Sequence, residues 1–343
     1  MILSLVQKAA AAWRLVRSYP RHGIRVLCYH TVIRQWVDKR VQWPIAVSIE
    51  AFERQVKHLA THYDLIGIDD IPEVLRRGPA TRDRAVVMTF DDGYSSNAEM
   101  AWPVLKAQSI PMAIFVTTEY LSGERRLPTF IVRCSVFHTQ ERRLRASGRE
   151  WSLETDAQRE RCVEDVMVLL RQSRRADMER LLDEVRVLLS DDEWREWTAK
   201  YDSDRLLTWG QVEKLYREGV TIGSHTHSHV MMSACATDGE VAGELGHSKA
   251  LLAGRGIRCS SFAYPNGKRA DLGPDTPRHL ERLGYTTAFT TIAGRINSMR
   301  HRYLLPRLSG QHENMDSFLN MLKADWRALL KQEILQRVRG RAW

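Results

Sequence analysis

Residues 85–93 read AVVMTFDDG, and this stretch indicates both a buried strand and the beginning of a functional site. An apolar run typical of a buried strand ends abruptly in Asp91, Asp92 and Gly93. Parallel α/β folds build their sites at the carboxyl edge of the sheet, so the two adjacent carboxylates lie where chemistry is usually carried out. Taken alone, an Asp-Asp-Gly sequence also fits an ordinary turn.

Further apolar, β-rich runs occur along the chain and alternate with helical segments such as 49–61 and 209–218. Strands that alternate with helices favour a parallel sheet, either open or closed into a barrel. The sequence predicts strands at 24–29, 65–68, 85–90, 112–117, 220–223, 261–264, 286–290 and 303–308. We therefore expect one α/β domain over residues 21–320.

A charged block at 141–200 interrupts this rhythm, and we predict a helical insertion at about 125–205. Residues 177–189 carry an apolar stripe at helical spacing, with opposite charges three or four positions apart. Such an insertion either forms a lid or a wall beside the site, or is a solvated structural addition.

The chain has 343 residues and a formal net charge of +9, which raises the question of an acidic partner. The charge is concentrated at the ends, because residues 1–40 hold eight Lys and Arg against one Asp, and residues 321–343 hold six against two acidic residues. The segment between them is nearly neutral. Since no helix-turn-helix, zinc-finger or RNA-binding signature accompanies the charge, we expect no nucleic-acid partner.

Residues 1–20 and 321–343 are predicted to form terminal amphipathic helices with basic flanks. The N-terminal helix either caps the domain or lies on an anionic membrane surface. We find no run of about 18 apolar residues, no convincing signal peptide, and five scattered cysteines without a C-x-x-C pair. The sequence thus predicts a cytoplasmic protein with peripheral contact at the inner membrane face.

A second motif, GSHTHSH at 223–229, follows another predicted strand. His225 and His229 are four residues apart and converge on one ion if the segment turns helically. Imidazole together with carboxylate suits a divalent metal such as Zn²⁺. Two histidines and one aspartate leave coordination positions open, as a catalytic metal site requires, although an isolated surface cluster of histidines is often incidental.

Together these motifs resemble the polysaccharide deacetylase family, also called carbohydrate esterase family 4 or the NodB-homology domain. The family signatures T-F-D-D-G and H-[ST]-x-x-H stand intact at 89–93 and 225–229. Its third signature commonly reads R-x-P-Y, and residues 262–267 read FAYPNG, similar to a form found in many bacterial members. The resemblance covers about 24–309 and implies a distorted (β/α)7-type barrel.

The resemblance also implies a metal-dependent carbohydrate N-deacetylase and assigns roles to matching residues. Asp92, His225 and His229 would hold a divalent metal, Zn²⁺ in the first place, with Co²⁺, Ni²⁺ or Mn²⁺ as alternatives. Asp91 would be the general base. The backbone N–H of Tyr264 would stabilise the oxyanion.

The remaining roles rest on less regular motifs. The family's L-x-H signature near the C-terminus is not recognisable, but one branch takes a histidine from the first strand, which implies His30 as the general acid. Arg307 is predicted to replace the missing arginine of R-x-P-Y as the charge partner of the base. Tyr94, Pro265 and Asn266 are predicted to contact the substrate.

The implied reaction is removal of an N-acetyl group from a hexosamine-containing glycan or a lipid-linked sugar, as in exopolysaccharide biosynthesis. Two alternatives stay open. One is hydrolysis of another C–N bond, such as a formamide on a lipid-linked sugar. The other is a catalytically inactive glycan-binding or membrane-adaptor homologue.

Overall fold

The computed structural model describes residues 22–42, 45–122 and 125–323. The predicted helix of residues 1–20 lies outside these residues, as does nearly all of the predicted basic helix at 321–343. Within the described residues, no helix has the length and apolar character needed to cross a membrane.

Seven parallel strands form a closed barrel at the centre of the fold. In chain order the strands of the protein are β1 (Arg25–Tyr29), β2 (Thr31–Ile33), β3 (Ala46–Ser48), β4 (Asp64–Leu65), β5 (Ala85–Phe90), β6 (Met112–Val116), β7 (Arg143–Ala146), β8 (Arg149–Ser152), β9 (Thr221–Ser224), β10 (Ser261–Ala263), β11 (Thr287–Ala293) and β12 (Leu305–Ser309). The ring runs β1-β12-β11-β10-β9-β6-β5 and closes where β5 pairs with β1 along its whole length. The predicted (β/α)7-type barrel is confirmed, and an open sheet is excluded.

All seven barrel strands overlap the predicted runs, and the predicted run that differs lies near residue 65, where β4 pairs with β5 outside the ring. The run 65–68 was expected to be a strand, but β4 ends at Leu65 and a 3-10 turn follows at Ile68–Asp70. The reason is local, because the Asp70 carboxylate accepts a hydrogen bond from the Gly67 N–H at 2.9 Å and closes the chain into a turn.

Helices pack around the outside of the barrel. Among the described residues they are Ile49–His62, Ile71–Arg76, Pro79–Arg84, Trp102–Ala107, Trp209–Arg217, Asp238–Ala253, Thr276–Arg282 and Met315–Lys323, whereas the short helix Lys39–Gln42 packs with Val41 against the insertion between β6 and β9. The helix Ile49–His62 begins where the Ser48 hydroxyl accepts from the Ala51 N–H. It buries Phe52 against Tyr29 and Phe90, whose ring centroids lie 5.4 and 6.0 Å from it.

Alternation along the strands separates the barrel interior from the helix-covered surface. Val26, Val87, Phe115 and Phe289 belong to one buried cluster, whereas their neighbours in sequence belong to the layer beneath the helices. Side chains alternate in direction along a strand, so every second residue of a barrel strand points into the interior. Toward the carboxyl ends of the strands these inward-pointing residues become polar. This alternation delivers side chains from β1, β5 and β12 to the mouth of the barrel.

The segment between β6 and β9 holds the helices Pro128–His138, Asp156–Gln172, Arg175–Arg186 and Asp191–Lys200 together with the hairpin β7–β8. It has a separate hydrophobic cluster that includes Val132, Cys162 and Val185. The hairpin was not predicted. Its turn uses Ser147 and Gly148, both with positive φ, as two-residue hairpin turns require.

The chain returns from this insertion along the loop that follows β5. The Leu207 N–H donates to the Gly93 carbonyl at 2.8 Å, and the Ser95 N–H donates to the Arg205 carbonyl at 2.7 Å. Gly93 has a φ of 81°, and a Cβ there would lie 3.1 Å from the Val116 side chain. The loop that carries Asp91 and Asp92 is therefore held by hydrogen bonds to the returning chain on one side and by its close packing against Val116 on the other.

Candidate active site

A cavity of about 510 Å³ opens at the carboxyl ends of the barrel strands. Eight of the ten predicted site residues line it, and Tyr264 and Pro265 do not. The insertion contributes Leu127 and Thr129, so it forms part of one wall. The lining residues are Cys28, His30, Ile45, Asp91, Asp92, Tyr94, Leu127, Thr129, His225, His229, Asn266, Lys268, Thr291, Arg307, Leu308, Ser309 and Gln311.

Asp92, His225 and His229 converge on one point of this cavity. Asp92 Oδ1 lies 3.3 Å from His225 Nε2 and 3.1 Å from His229 Nε2. A tetrahedral zinc site with ordinary bond lengths needs an O···N separation of about 3.4 Å, so little movement is required. The His225 Nδ1 interacts with the Ala263 carbonyl at 2.8 Å, which leaves Nε2 free to act as a ligand. The three groups fit a divalent cation.

The Asp92 carboxylate is ionised in this arrangement. Burial alone would raise the pKa of Asp92, but hydrogen bonds with His225 and His229 hold that pKa well below its ordinary value. Tyr94 lies beside the same carboxylate. Burial, followed by the charges of Asp92 and Asp204, raises the pKa of Tyr94 well above its ordinary value, so its hydroxyl stays protonated.

Backbone strain is concentrated at this end of the barrel. Of the six described non-glycine residues with positive φ, four belong to the motif loops: Asp92, Thr226, His229 and Asn266. His225 and His229 converge without the helical turn that their spacing suggested as a condition, because left-handed residues within a loop bring the rings together. Such conformations persist where surrounding contacts enforce them.

The loop between the two histidines is held by Glu244 on the helix Asp238–Ala253. Its carboxylate accepts from the backbone N–H groups of His227 and Ser228 at 3.0 and 2.9 Å, and from the Ser228 hydroxyl at 2.7 Å. The His227 ring turns away from the cavity and contacts the Thr118 hydroxyl at 2.9 Å. Sequence reasoning missed Glu244, since no local pattern links a helix residue to a loop that precedes it.

Asp91 forms a buried bidentate ion pair with Arg307. Arg307 Nη1 and Nη2 lie 2.7 and 2.6 Å from the two carboxylate oxygens, and the side chains are 0% and 2% exposed. Arg307 also donates to the Thr89 hydroxyl and the Thr290 carbonyl. Although burial raises the pKa of Asp91, the guanidinium brings it below its ordinary value. The structure thus places an ionised carboxylate beside the Asp92 group.

Cys28 lies near the end of β1, and His30 directly follows that strand. The Cys28 Sγ lies 3.4 Å from Asp91 Oδ2, and burial raises the pKa of this thiol well above its ordinary value, so the S–H donates to the carboxylate. The His30 Nδ1 is buried and has no hydrogen-bond partner among the described residues. Cys28 was not predicted, although its spacing of two residues from His30 on a strand was the available signal.

The role assigned to Tyr264 needs correction. Its backbone N–H donates to the Phe289 carbonyl at 3.0 Å, because the pairing of β10 with β11 extends one residue further. This N–H is not available to an oxyanion. Asn266 lines the cavity instead with a φ of 57°, and its backbone N–H makes no hydrogen bond to the described residues. Pro265, predicted to contact substrate, lies outside the cavity wall.

Comparisons with known proteins agree with the fold and with the motifs described above. The family model described as "Polysaccharide deacetylase" matches residues 78–161 and 176–288. The poly-beta-1,6-N-acetyl-D-glucosamine N-deacetylase of Escherichia coli (strain K12) is 32% identical over 96 residues, which cover 28% of this chain and 14% of that protein.

Two solved structures show a similar fold. The deacetylase PplD of Streptococcus pyogenes, solved in complex with acetate, has a TM-score of 0.57 at 16% identity, covering 88% of this chain and 98% of the other. IcaB from Ammonifex degensii has a TM-score of 0.54 at 18% identity, with the same coverage of 88% and 98%.

Proposed function

The chain belongs to the polysaccharide deacetylase family, and we propose that it is a metal-dependent hydrolase that removes the N-acetyl group from a hexosamine-containing glycan or a lipid-linked sugar. The observation that supports this most directly is the Asp91–Arg307 pair beside the Asp92, His225 and His229 group in one cavity. The activity named for the Escherichia coli relative supports an N-acetylglucosamine unit as substrate.

The eight predicted site residues that line the cavity then have defined tasks. Asp92, His225 and His229 hold a divalent cation, Zn²⁺ in the first place, with Co²⁺, Ni²⁺ or Mn²⁺ as alternatives. Such a cation, when bound, would lower the pKa of a water molecule and would polarise the acyl carbonyl. Asp91, kept ionised by Arg307, takes the proton of the attacking water.

Two further groups complete the reaction. The Asn266 N–H donates to the carbonyl oxygen as negative charge develops on it. His30 gives a proton to the departing sugar nitrogen, so the products are the free amine and acetate. Tyr94, whose hydroxyl stays protonated beside Asp92, orients that carboxylate and borders the bound sugar.

The deciding experiment measures acid release and metal together. Metal-free protein is loaded with one equivalent of Zn²⁺ and incubated with N-acetylglucosamine oligomers, N-acetylated lipid-linked sugars and their N-formyl analogues. We expect acetate release that disappears with a chelator and returns with Zn²⁺. Formate release alone would favour the deformylase alternative. Failure to bind zinc, together with no release of either acid, would favour an inactive homologue.

The His30→Ala variant is expected to lose turnover by about 10²- to 10⁴-fold, the range of general acid–base catalysis. It should keep one equivalent of zinc, because His30 is not among the three proposed ligands. The measurement is kcat together with metal content by atomic absorption. His301→Ala is the matched control, since His301 is exposed and lies outside the cavity. Loss of zinc in His30→Ala would show that its role is wrong.

The Glu244→Gln variant is expected to bind zinc about 10- to 100-fold more weakly, the usual effect of losing a group that orients metal ligands. A neutral amide accepts more weakly from the two backbone N–H groups, so the His225–His229 loop loosens. Competition with a chromophoric chelator measures the dissociation constant. The control is Glu240→Gln. Glu240 lies on the same helix, but its carboxylate accepts from the backbone N–H groups of Ala236 and Thr237, just before the helix begins. Equal affinities in the two variants would refute this role.

A further inference from the structure

A second group of potential metal ligands lies in the same cavity as the first. Cys28, His30 and Asp91 each offer one ligand atom, and these atoms lie within 4.8 Å of one another. None of the three belongs to the Asp92, His225 and His229 group. Cys28 and Asp91 are buried and His30 is partly buried, so a cation held there would be largely shielded from water.

The spacing between sulfur and oxygen suits a tetrahedral cation. Zinc bound to a thiolate at about 2.3 Å and to a carboxylate oxygen at about 2.1 Å separates the two atoms by about 3.6 Å. The Cys28 Sγ and Asp91 Oδ2 are 3.4 Å apart. Both ligands are therefore nearly in position.

The three groups also have unused binding capacity. A carboxylate has about four lone-pair sites, and Arg307 takes one on each oxygen of Asp91. On Oδ2 the second site is occupied only by the Cys28 S–H, and the His30 Nδ1 has no partner among the described residues. A cation can therefore take the place of the thiol proton without displacing Arg307.

We propose that Cys28, His30 and Asp91 form a second, inhibitory site for a thiophilic divalent cation such as Zn²⁺ or Cd²⁺. On binding, the S–H bond of Cys28 breaks, a sulfur–metal bond forms, and the proton passes to solvent. Sulfur and imidazole select these cations over Mg²⁺ and Ca²⁺. The cation occupies both the base and the acid of the reaction, and this inhibitory consequence rests on the proposed function.

The charges set the order in which the two sites fill. The Arg307 guanidinium lies 2.6 Å from Asp91 and opposes a second positive ion, whereas the described residues place no Lys or Arg within hydrogen-bond distance of the first group. The new thiolate offsets part of this repulsion. The Cys28 site therefore fills after the Asp92 site, when the cation is in excess.

Cobalt titration of the metal-free full chain tests the binding, with Co²⁺ as the probe. We expect a sulfur-to-cobalt charge-transfer band that grows only with the second equivalent. Cys28→Ser should abolish the band, and Cys235→Ser should retain it, because Cys235 lies outside the cavity. No band in the wild type, or a band that survives in Cys28→Ser, overturns the proposal. Cys28→Ala serves as a second variant, and thermal unfolding checks that both are folded.

A separate arm tests inhibition with Cd²⁺. Protein loaded with one equivalent of Zn²⁺ should lose acetate release as Cd²⁺ is added, and Cys28→Ser should need at least 10-fold more Cd²⁺ for the same fractional loss. Equal sensitivity of the two proteins refutes the inhibitory site. Absence of acetate release at one equivalent of Zn²⁺ would instead refute the proposed function, since the cobalt band does not depend on activity.

Discussion

The Asp91→Asn variant is expected to retain one equivalent of zinc and lose turnover by about 10²- to 10⁴-fold. An amide cannot take the proton of the attacking water, so the reaction loses its base. Asparagine keeps the shape of the side chain and one oxygen acceptor for Arg307. We therefore expect a folded variant, and kcat for acetate release measured beside metal content checks both expectations.

The neighbouring carboxylate supplies the matched control. Asp92→Asn should lose zinc, because Asp92 Oδ1 lies within 3.3 Å of both histidine nitrogens. The two asparagine variants should thus differ: Asp91→Asn should keep zinc and lose turnover, whereas Asp92→Asn should lose zinc. Turnover close to wild type in Asp91→Asn would reject it as the base, and loss of zinc in that variant alone would exchange the roles of the two residues.

The Arg307→Met variant is expected to lose about 3–5 kcal/mol of the free energy of unfolding, the usual cost of removing one partner of a buried ion pair. The change leaves the Asp91 carboxylate without a countercharge in the barrel interior. It also removes donors from the Thr89 hydroxyl and the Thr290 carbonyl. Denaturant unfolding followed by circular dichroism measures the loss.

An exposed ion pair with the same separation is the control for Arg307. Arg302 lies 2.6 Å from Glu281, as Arg307 does from Asp91, but its side chain is 45% exposed. Arg302→Met should cost less than about 1 kcal/mol, because solvent screens such pairs. The Asp91→Asn/Arg307→Met double variant should lose less than the two single losses combined. A loss in Arg307→Met no larger than in Arg302→Met would contradict the buried pair.

Local patterns in the sequence predicted the strands well and their assembly less fully. The run at 85–90 has the composition of a barrel strand and is directly followed by two aspartates. β5 has the same bounds as this run. Closure depends on the register between β1 and β5, where Arg25 lies opposite Val86. Such long-range pairing has no local signal, so residue patterns alone left the open sheet as an alternative.

The candidate site was likewise predicted only in part, with its local motifs visible in the sequence and its long-range contacts not. Paired aspartates and closely spaced histidines are visible in the sequence because the chemistry of the motif is local. Glu244 acts through residues more than 15 positions away, so no short pattern identifies it. Cys28 contacts Asp91 across a longer gap in sequence, and its spacing from His30 was the local signal that pointed to it. The Tyr264 assignment failed because one additional ladder hydrogen bond, to the Phe289 carbonyl, decides whether its N–H is free.

Ring closure also constrains how the chain is made. β1 pairs on one side with β5 and on the other with β12, so Leu27 lies opposite both Met88 and Leu308. During synthesis, β1 and β5 leave the ribosome long before Arg307, and Asp91 must wait for its countercharge until nearly all the described residues have been translated. A nascent chain that ends before Leu305 presents two unpaired strand edges and a solvated carboxylate, the form on which chaperones and proteases act.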